Sequence, residues 1–326
     1  MKWHHPRCTH LSNSWISRRL TVATAPTAAS PGSKIQAFRD HVFQVDAPAV
    51  MRSGVNSPAS SIPAFDTWFS TDVTQFGFAQ HVHEFQNWVF PYEVVTVSDE
   101  ARNHLDAFSQ WLSCSDHEMD GVLSQILASA RHEAAGEQFF QLHAPLRLLT
   151  KAVEFNQTQI ADDVIQMYIA QSSLSDLPDK LQTDLATPDV VLNAGKGDIY
   201  SSSIWLGTEP TYTPLHRDPN PNLFCQLFGS KSVRLMQPTL GQALFQRVQH
   251  RVGQQGNSYL RTSEMMKGAE RIALYEEVWQ STDKQNTYMV DVNPGDALFI
   301  PMGWWHSIKS SGSKGSLNAS ANWWFR

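Results

Sequence analysis

Thr213-Pro214-Leu215-His216-Arg217-Asp218 sets an imidazole and a carboxylate two residues apart. On a β-strand that spacing turns both side chains to one face. A second histidine, His306, closes the segment Ile300-Pro301-Met302-Gly303-Trp304-Trp305-His306 near the other end of the chain. Brought together, two histidines and one carboxylate bind a metal on one side and leave its other positions open, the ligand set of non-haem Fe(II) oxygenases. Catalytic zinc more often uses other ligand sets. His-x-Asp alone is common by chance, so its weight rests on the residues around it.

The elements that must hold these residues can be read beside them. Leu223, Cys225 and Leu227 alternate with Phe224, Gln226 and Phe228, the period of a strand, and Gly229-Ser230 reads as a turn. Lys231 opens the return strand Ser232-Val233-Arg234-Leu235-Met236, which Pro238 ends. A lysine reaching back toward the metal suits a dicarboxylate, because its ammonium pairs with the far carboxylate. Asn293-Pro294-Gly295-Asp296 is a turn signal, and Ala297 to Pro301 forms the strand that leads to His306. Further strands are expected at Gln166 to Gln171, at Ile199 to Gly207 and at Asn318 to Phe325. Arg217 alternates with His216 and Asp218 and is expected to point away from the metal.

With these residues the chain resembles the JmjC-type, cupin-fold 2-oxoglutarate oxygenases, and among them the small hydroxylase branch related to the hypoxia-factor asparaginyl hydroxylase. The resemblance is strongest over Thr213 to Pro238 and Asn293 to Arg326, and extends loosely back to about Phe38. It implies a mainly β fold with α: a double-stranded β-helix (jelly-roll/cupin) barrel with flanking helices. It also implies Fe(II) held by His216, Asp218 and His306, with 2-oxoglutarate and O2 as co-substrates. In the resembled pattern Lys231, Thr213 and Tyr168 bind the far carboxylate, and Asn222 and Asn322 line the iron-proximal end of the co-substrate pocket. Three donors around a buried carboxylate offset its desolvation, and an amide donates without adding charge.

Such a site is expected to hydroxylate a substrate C–H bond with release of succinate and CO2, and a protein side chain is the expected target. The alternatives are demethylation of an Nε-methyl-lysine, as on a histone, hydroxylation of an RNA base, and a non-catalytic scaffold. A scaffold would carry a broken triad or lack the lysine. The resembled hydroxylases have C-terminal dimerisation helices; none follows Phe325, so a monomer or weak dimer is expected.

The 326 residues suffice for one large domain or two small ones. Hydrophobic residues make up 41% and charged residues only 17%, which favours a substantial core. The Trp304-Trp305 and Trp323-Trp324 pairs read as core packing near the site. A net charge of −6 speaks against a broad nucleic-acid-binding surface. Cys8, Cys114 and Cys225 form no Cys-x-x-Cys pair, so a reducing, intracellular compartment (cytoplasmic or nuclear) is expected. No run is long and apolar enough to span a membrane.

The N-terminus carries Lys2, Arg7, Arg18, Arg19, Lys34 and Arg39 with no acidic residue before Asp40. That composition suits a mitochondrial transit peptide and equally a disordered tail. Residues 1–35 are therefore expected to be a flexible segment, with His4, His5 and His10 part of it, and 36–326 to be the oxygenase domain. Phe43 to Arg52 reads as a helix end and a short strand, and Ser53 to Pro63 as a loop. His81-Val82-His83-Glu84 mimics a metal motif but lies in a polar stretch, and is read as ordinary surface or core polar residues. Ser115-Asp116-His117-Glu118 has the form of a capping box, after which Met119, Val122, Leu123, Ile126 and Leu127 keep helical period. An insertion at about 239–285, with a helix near Glu264 to Trp279, is expected to shape substrate access.

Overall fold

The computed structural model describes residues 18–19, 31–70, 77–96, 98–135, 137–159, 164–253, 267–281 and 287–326. His4, His5, His10 and Cys8 lie outside the described residues, as does most of the 1–35 segment. Within that segment Arg18–Arg19 pairs in parallel with Tyr288 and Met289, and a helix covers Pro31–Phe38.

Strand Leu317–Phe325 shows how the barrel is written into the chain. Ala319, Ala321, Trp323 and Phe325 join the large core cluster, while the alternate residues Asn318, Ser320 and Asn322 are buried on the opposite face. Both faces are covered, so the strand reads as buried throughout, with small and aromatic residues outward and polar ones inward. Strand Asn222–Phe228 does the same: Leu223, Cys225 and Leu227 enter the large cluster, and Phe224 faces the barrel interior.

These strands belong to an eight-stranded sheet. Its order is Ala49–Met51, Ala297–Ile300, Asn222–Phe228, Leu317–Phe325, Ile199–Thr208, Met167–Ser173, Val89–Val95 and Phe139–Pro145. A five-stranded sheet lies opposite, ordered Arg18–Arg19, Thr287–Val292, Lys231–Met236, Trp305–Ser310 and Tyr212–Arg217. Apart from Arg18–Arg19, neighbouring strands are antiparallel. Successive strands from Ile199 onward alternate between the sheets in the jelly-roll manner, except that Lys231–Met236 and Thr287–Val292, on either side of the insertion, pair within the smaller sheet. The end of the interior away from the polar row is filled by Val233, Leu235, Val290, Val292, Leu298 and Ile300.

The outer face of the larger sheet carries a helical layer, Asp99–Ser113, Glu118–Glu133 and Arg147–Gln157. Leu105, Phe108, Leu112, Leu123, Leu127, Leu148 and Leu149 bury there. The helix at Glu118 begins differently from the capping-box expectation. Its N-cap is His117, whose Nδ1 accepts from Met119 N at 3.2 Å. Ser115 is diverted: its hydroxyl donates to Asp120 Oδ2 at 2.7 Å, inside the ion pair between Asp120 and Arg147.

The outer face of the smaller sheet is covered by the insertion. Pro238 ends a strand as expected and also opens helix Pro238–Val252 at its first turn, where a missing N–H costs nothing. A second helix, Gly268–Tyr275, continues without a break into a π-type turn at Glu276–Gln280, and together they cover the described part of the helix expected near Glu264 to Trp279. Leu244, Phe245, Val248 and Leu274 pack onto Leu215, Met236 and Trp305. The described part of the insertion is thus a cover for the sheet that carries both histidines.

Candidate metal centre

His216 and His306 face each other as register partners on the antiparallel strands Tyr212–Arg217 and Trp305–Ser310. Their rings lie 4.1 Å apart between centroids. Asp218 follows the first strand, and its backbone carbonyl accepts from Gly303 N at 3.1 Å, which ties the two ligand segments together. Ligand atoms of His216, Asp218 and His306 all lie within 4.8 Å of one another, and all three residues are buried. Asp218 Oδ1 is 3.9 Å from His216 Nε2, and Oδ2 is 3.6 Å from His306 Nε2.

Each imidazole is oriented from behind. His216 Nδ1 lies 2.8 Å from Pro214 O, and His306 Nδ1 lies 3.2 Å from Trp304 O. A carbonyl only accepts, so Nδ1 carries the proton and Nε2 presents its lone pair to the shared space. Burial, and then the neighbouring His306, push His216 down to about 4 against the opposing pull of Asp218 and Pro214 O. The neutral imidazole is the form that binds a metal.

Asp218 is held by a chain of amides. Asn222 Nδ2 donates to Asp218 Oδ2 at 2.9 Å, and Asn322 Nδ2 lies 3.3 Å from Asn222 Oδ1. Trp205 Nε1 then donates to Asn322 Oδ1 at 2.8 Å. Asn222 and Asn322 line the cavity beside the triad. Their hydrogen bonds run to Asp218, to each other and to Trp205.

A β-bulge sets the polar end of that cavity. His306 pairs with His216, but Ile308 pairs with Thr213, so one extra residue lies on the Thr213 side. Strict alternation would turn Thr213 away from His216. With the bulge, Thr213 and His216 line the same cavity, and Leu215 faces the covering helices. Arg217 sits over the Trp305 ring at 5.8 Å, away from the triad as expected.

Lys231 and Tyr168 join Thr213 in lining that cavity. Lys231 is 2% exposed, and its Nζ donates to Ser320 Oγ at 2.8 Å and to Tyr168 Oη at 3.3 Å. Burial drives the Lys231 ammonium down to about 7, and the Glu209 carboxylate pulls the other way. Burial holds the Tyr168 phenol well above its usual range, so it remains a neutral hydroxyl. The Tyr168 ring fits because Gly207 lies under it: a Cβ there would sit 2.4 Å from Tyr168 Cδ2.

Three members of this arrangement escape the sequence reading. Ser320 continues the polar period of Asn318 and Asn322, a signal that was present in the strand. Trp205 was hidden among eleven tryptophans. Glu209, 1% exposed, follows the buried run Ile204 to Thr208 and accepts from Asn318 Nδ2 at 2.9 Å. His81, in the decoy motif, meets Asp184 Oδ2 at 2.5 Å instead of a metal. Among the described residues no other group of His, Cys, Asp and Glu is arranged to hold a metal.

Comparison with known proteins agrees with this geometry. Jumonji C domain-containing protein 5 of Drosophila melanogaster is 30% identical over 162 residues, 48% of this chain and 36% of that protein. Lysine-specific demethylase JMJ30 of Arabidopsis thaliana is 26% identical over 179 residues, 54% of this chain and 37% of that protein. Lysine-specific demethylase 8 of Danio rerio is 28% identical over 160 residues, 48% of this chain and 36% of that protein. The chain thus spans little more than a third of the length of these curated relatives. A sequence profile of the Cupin-like domain matches residues 36–326. With nearly the whole chain matched and the jelly roll and triad in place, the protein belongs to the Cupin-like domain family.

Proposed function

We propose that this protein is an Fe(II)- and 2-oxoglutarate-dependent dioxygenase that hydroxylates a protein side chain. The observation that carries the reading is the buried His216–Asp218–His306 cluster sharing one cavity with a buried Lys231. Two neutral imidazole nitrogens, one carboxylate and no thiolate fit Fe(II) by donor type. When bound there, the iron with 2-oxoglutarate and O2 supplies oxidative decarboxylation to succinate and CO2 and oxygen insertion into a C–H bond.

The chain's own residues bind and orient. His216, Asp218 and His306 hold the metal, with Pro214 O, Trp304 O and Asn222 fixing their directions. Lys231, Tyr168 and Thr213 receive the far carboxylate of 2-oxoglutarate at the polar end of the cavity. Asn222 and Asn322 line the metal-proximal end while steadying Asp218. Trp205 and Trp324 give the cavity an apolar wall.

The test is anaerobic titration of the Fe(II)-loaded protein with 2-oxoglutarate, following the visible charge-transfer band of metal-bound co-substrate. The band is expected in wild type and absent in His216→Ala. Its absence from folded, iron-loaded wild type would sink the reading. Nε-methyl-lysine demethylation is a second reading, favoured by the names of the Arabidopsis and zebrafish relatives. Mass analysis of candidate peptides separates the two: hydroxylation leaves an added oxygen, and demethylation removes a methyl group as formaldehyde.

A further inference from the structure

Tyr168 divides two cavities. On one side it lines the metal pocket. On the other it lines a separate cavity of about 30 Å³, together with Glu93, Thr208, Pro210, Tyr212 and Arg271. The walls come from both sheets and one helix. Glu93 and Tyr168 are register partners in the larger sheet, Tyr212 opens the His216 strand, and Arg271 belongs to helix Gly268–Tyr275.

Two polar atoms at this cavity lack partners. Among the described residues neither Arg271 Nε nor the Tyr212 hydroxyl has a hydrogen-bond partner, and both atoms are buried. The neighbouring Ser307 hydroxyl donates to Thr213 O and accepts from Trp279 Nε1, each at 2.9 Å, and keeps one lone pair toward Tyr212. Arg271 rests over the Tyr212 ring at 5.0 Å, and among the described residues no carboxylate pairs with it. Arg147 in the helical layer is the contrast, closed onto Asp120 at 2.5 Å. Burial lowers the basicity of Arg271, the mark of a cation desolvated without an anion. Glu93 is 5% exposed and has one long contact, from Gln141 Nε2 at 3.5 Å. Burial raises its carboxyl to about 7, so on the acid side of neutrality it is a neutral donor and does not repel an anion. Native proteins leave few buried polar groups unsatisfied, and two in the wall of one cavity point to an occupant that completes them.

We propose that this cavity is a second, carboxylate-binding subsite, in which Arg271 takes the anion between the Tyr212 hydroxyl and the Glu93 carboxyl. A guanidinium fork on an aromatic face is already oriented for a carboxylate. The small volume limits the occupant to the carboxylate end of a small organic acid. The subsite is independent of the activity proposed above, although Tyr168 is common to both cavities.

Calorimetric titration of the metal-free full chain with succinate tests it. In Lys231→Met, which removes the anchor of the metal pocket, one succinate per chain is still expected to bind. Adding Arg271→Gln is expected to weaken that binding by at least about tenfold, the loss of a charge-assisted hydrogen bond. No succinate binding to folded Lys231→Met, or binding unaffected by Arg271→Gln, would overturn the proposal. Should Lys231→Met fail to fold, stoichiometry decides. Two succinates in wild type falling to one in Arg271→Gln supports the subsite, and one in both overturns it. A missing Lys231-dependent event, with the Arg271-dependent one present, would count against the co-substrate reading and leave this subsite standing.

Discussion

Lys231 is the residue whose chemistry the fold has altered most usefully. Its ammonium has two hydroxyls beside it and a carboxylate, Glu209, acting from farther off. With the free ammonium at about 7, the charged form that binds a carboxylate is present below that pH and lost above it. The Kd for 2-oxoglutarate is therefore expected to rise roughly eightfold between about pH 7.5 and about pH 8.5. Lys231→Met should bind weakly and show no such slope. Glu209→Gln removes the charge that favours the ammonium, so its midpoint should move to lower pH; an unmoved midpoint would assign Glu209 a packing role only. His216 is already neutral through this window and does not contribute. Asn222 offers a second test at this scale. Its donation to Asp218 Oδ2 fixes a metal ligand, and Asn222→Ala is expected to weaken Fe(II) binding by roughly 10–100-fold, measured by metal titration.

At the scale of elements, two glycines decide how closely secondary structures approach the site. Gly241, in helix Pro238–Val252, lies against Trp305, and a Cβ there would be 2.1 Å from Trp305 Cγ. Gly241→Ala must displace the ring next to His306. It is expected to cost about 1–3 kcal/mol of stability and to weaken iron binding as well, as read by thermal melts and metal titration. Gly207→Ala should act differently, because its Cβ meets Tyr168. A higher 2-oxoglutarate Kd with iron affinity intact is the expected outcome, and equal loss of both would show that the larger sheet itself had shifted. The β-bulge between Thr213 and His216 belongs to the same scale, since one unpaired residue brings these two side chains to a common face.

Over the whole molecule, the layers are helices, larger sheet, polar and apolar barrel interior, smaller sheet, and the two insertion helices. The site lies inside the barrel, remote from the ion pair that locks the first helical layer. There Asp120 is fully buried and receives Arg147 and Ser115. Burial alone would raise the Asp120 carboxyl, but the Arg147 and Ser115 hydrogen bonds outweigh it and hold it below the usual range. The stability this contributes is present above the ordinary carboxylate pKa and lost as pH falls through the lowered one. Asp120→Ala is expected to destabilise the fold by about 3 kcal/mol, because Arg147 is left half-buried without its partner. Iron affinity of the folded fraction should not change; a change would tie the helical layer to the barrel interior. Among the described residues no helix is long and apolar enough to cross a membrane.

What the sequence determined by itself was local in origin. Alternation of period two marked the strands around Leu223 to Phe228 and Asn318 to Phe325, turn residues marked Gly229-Ser230 and Asn293 to Asp296, and residue type marked His216, Asp218, His306 and Lys231. Each depends on neighbours a few residues away. Tertiary structure decided the rest, because it depends on partners distant in the chain. Ser115 lost its capping role to Asp120 and Arg147, and Asn222 became the support of Asp218. Helix Pro238–Val252 became the cover of Trp305, although nothing near Gly241 in sequence announces a tryptophan above it. Thr213 reaches the face of His216 only because its strand pairs with Trp305–Ser310 one residue out of step. That pairing joins strands far apart in the chain, and its one unpaired residue reverses the face that strict alternation assigns to Thr213.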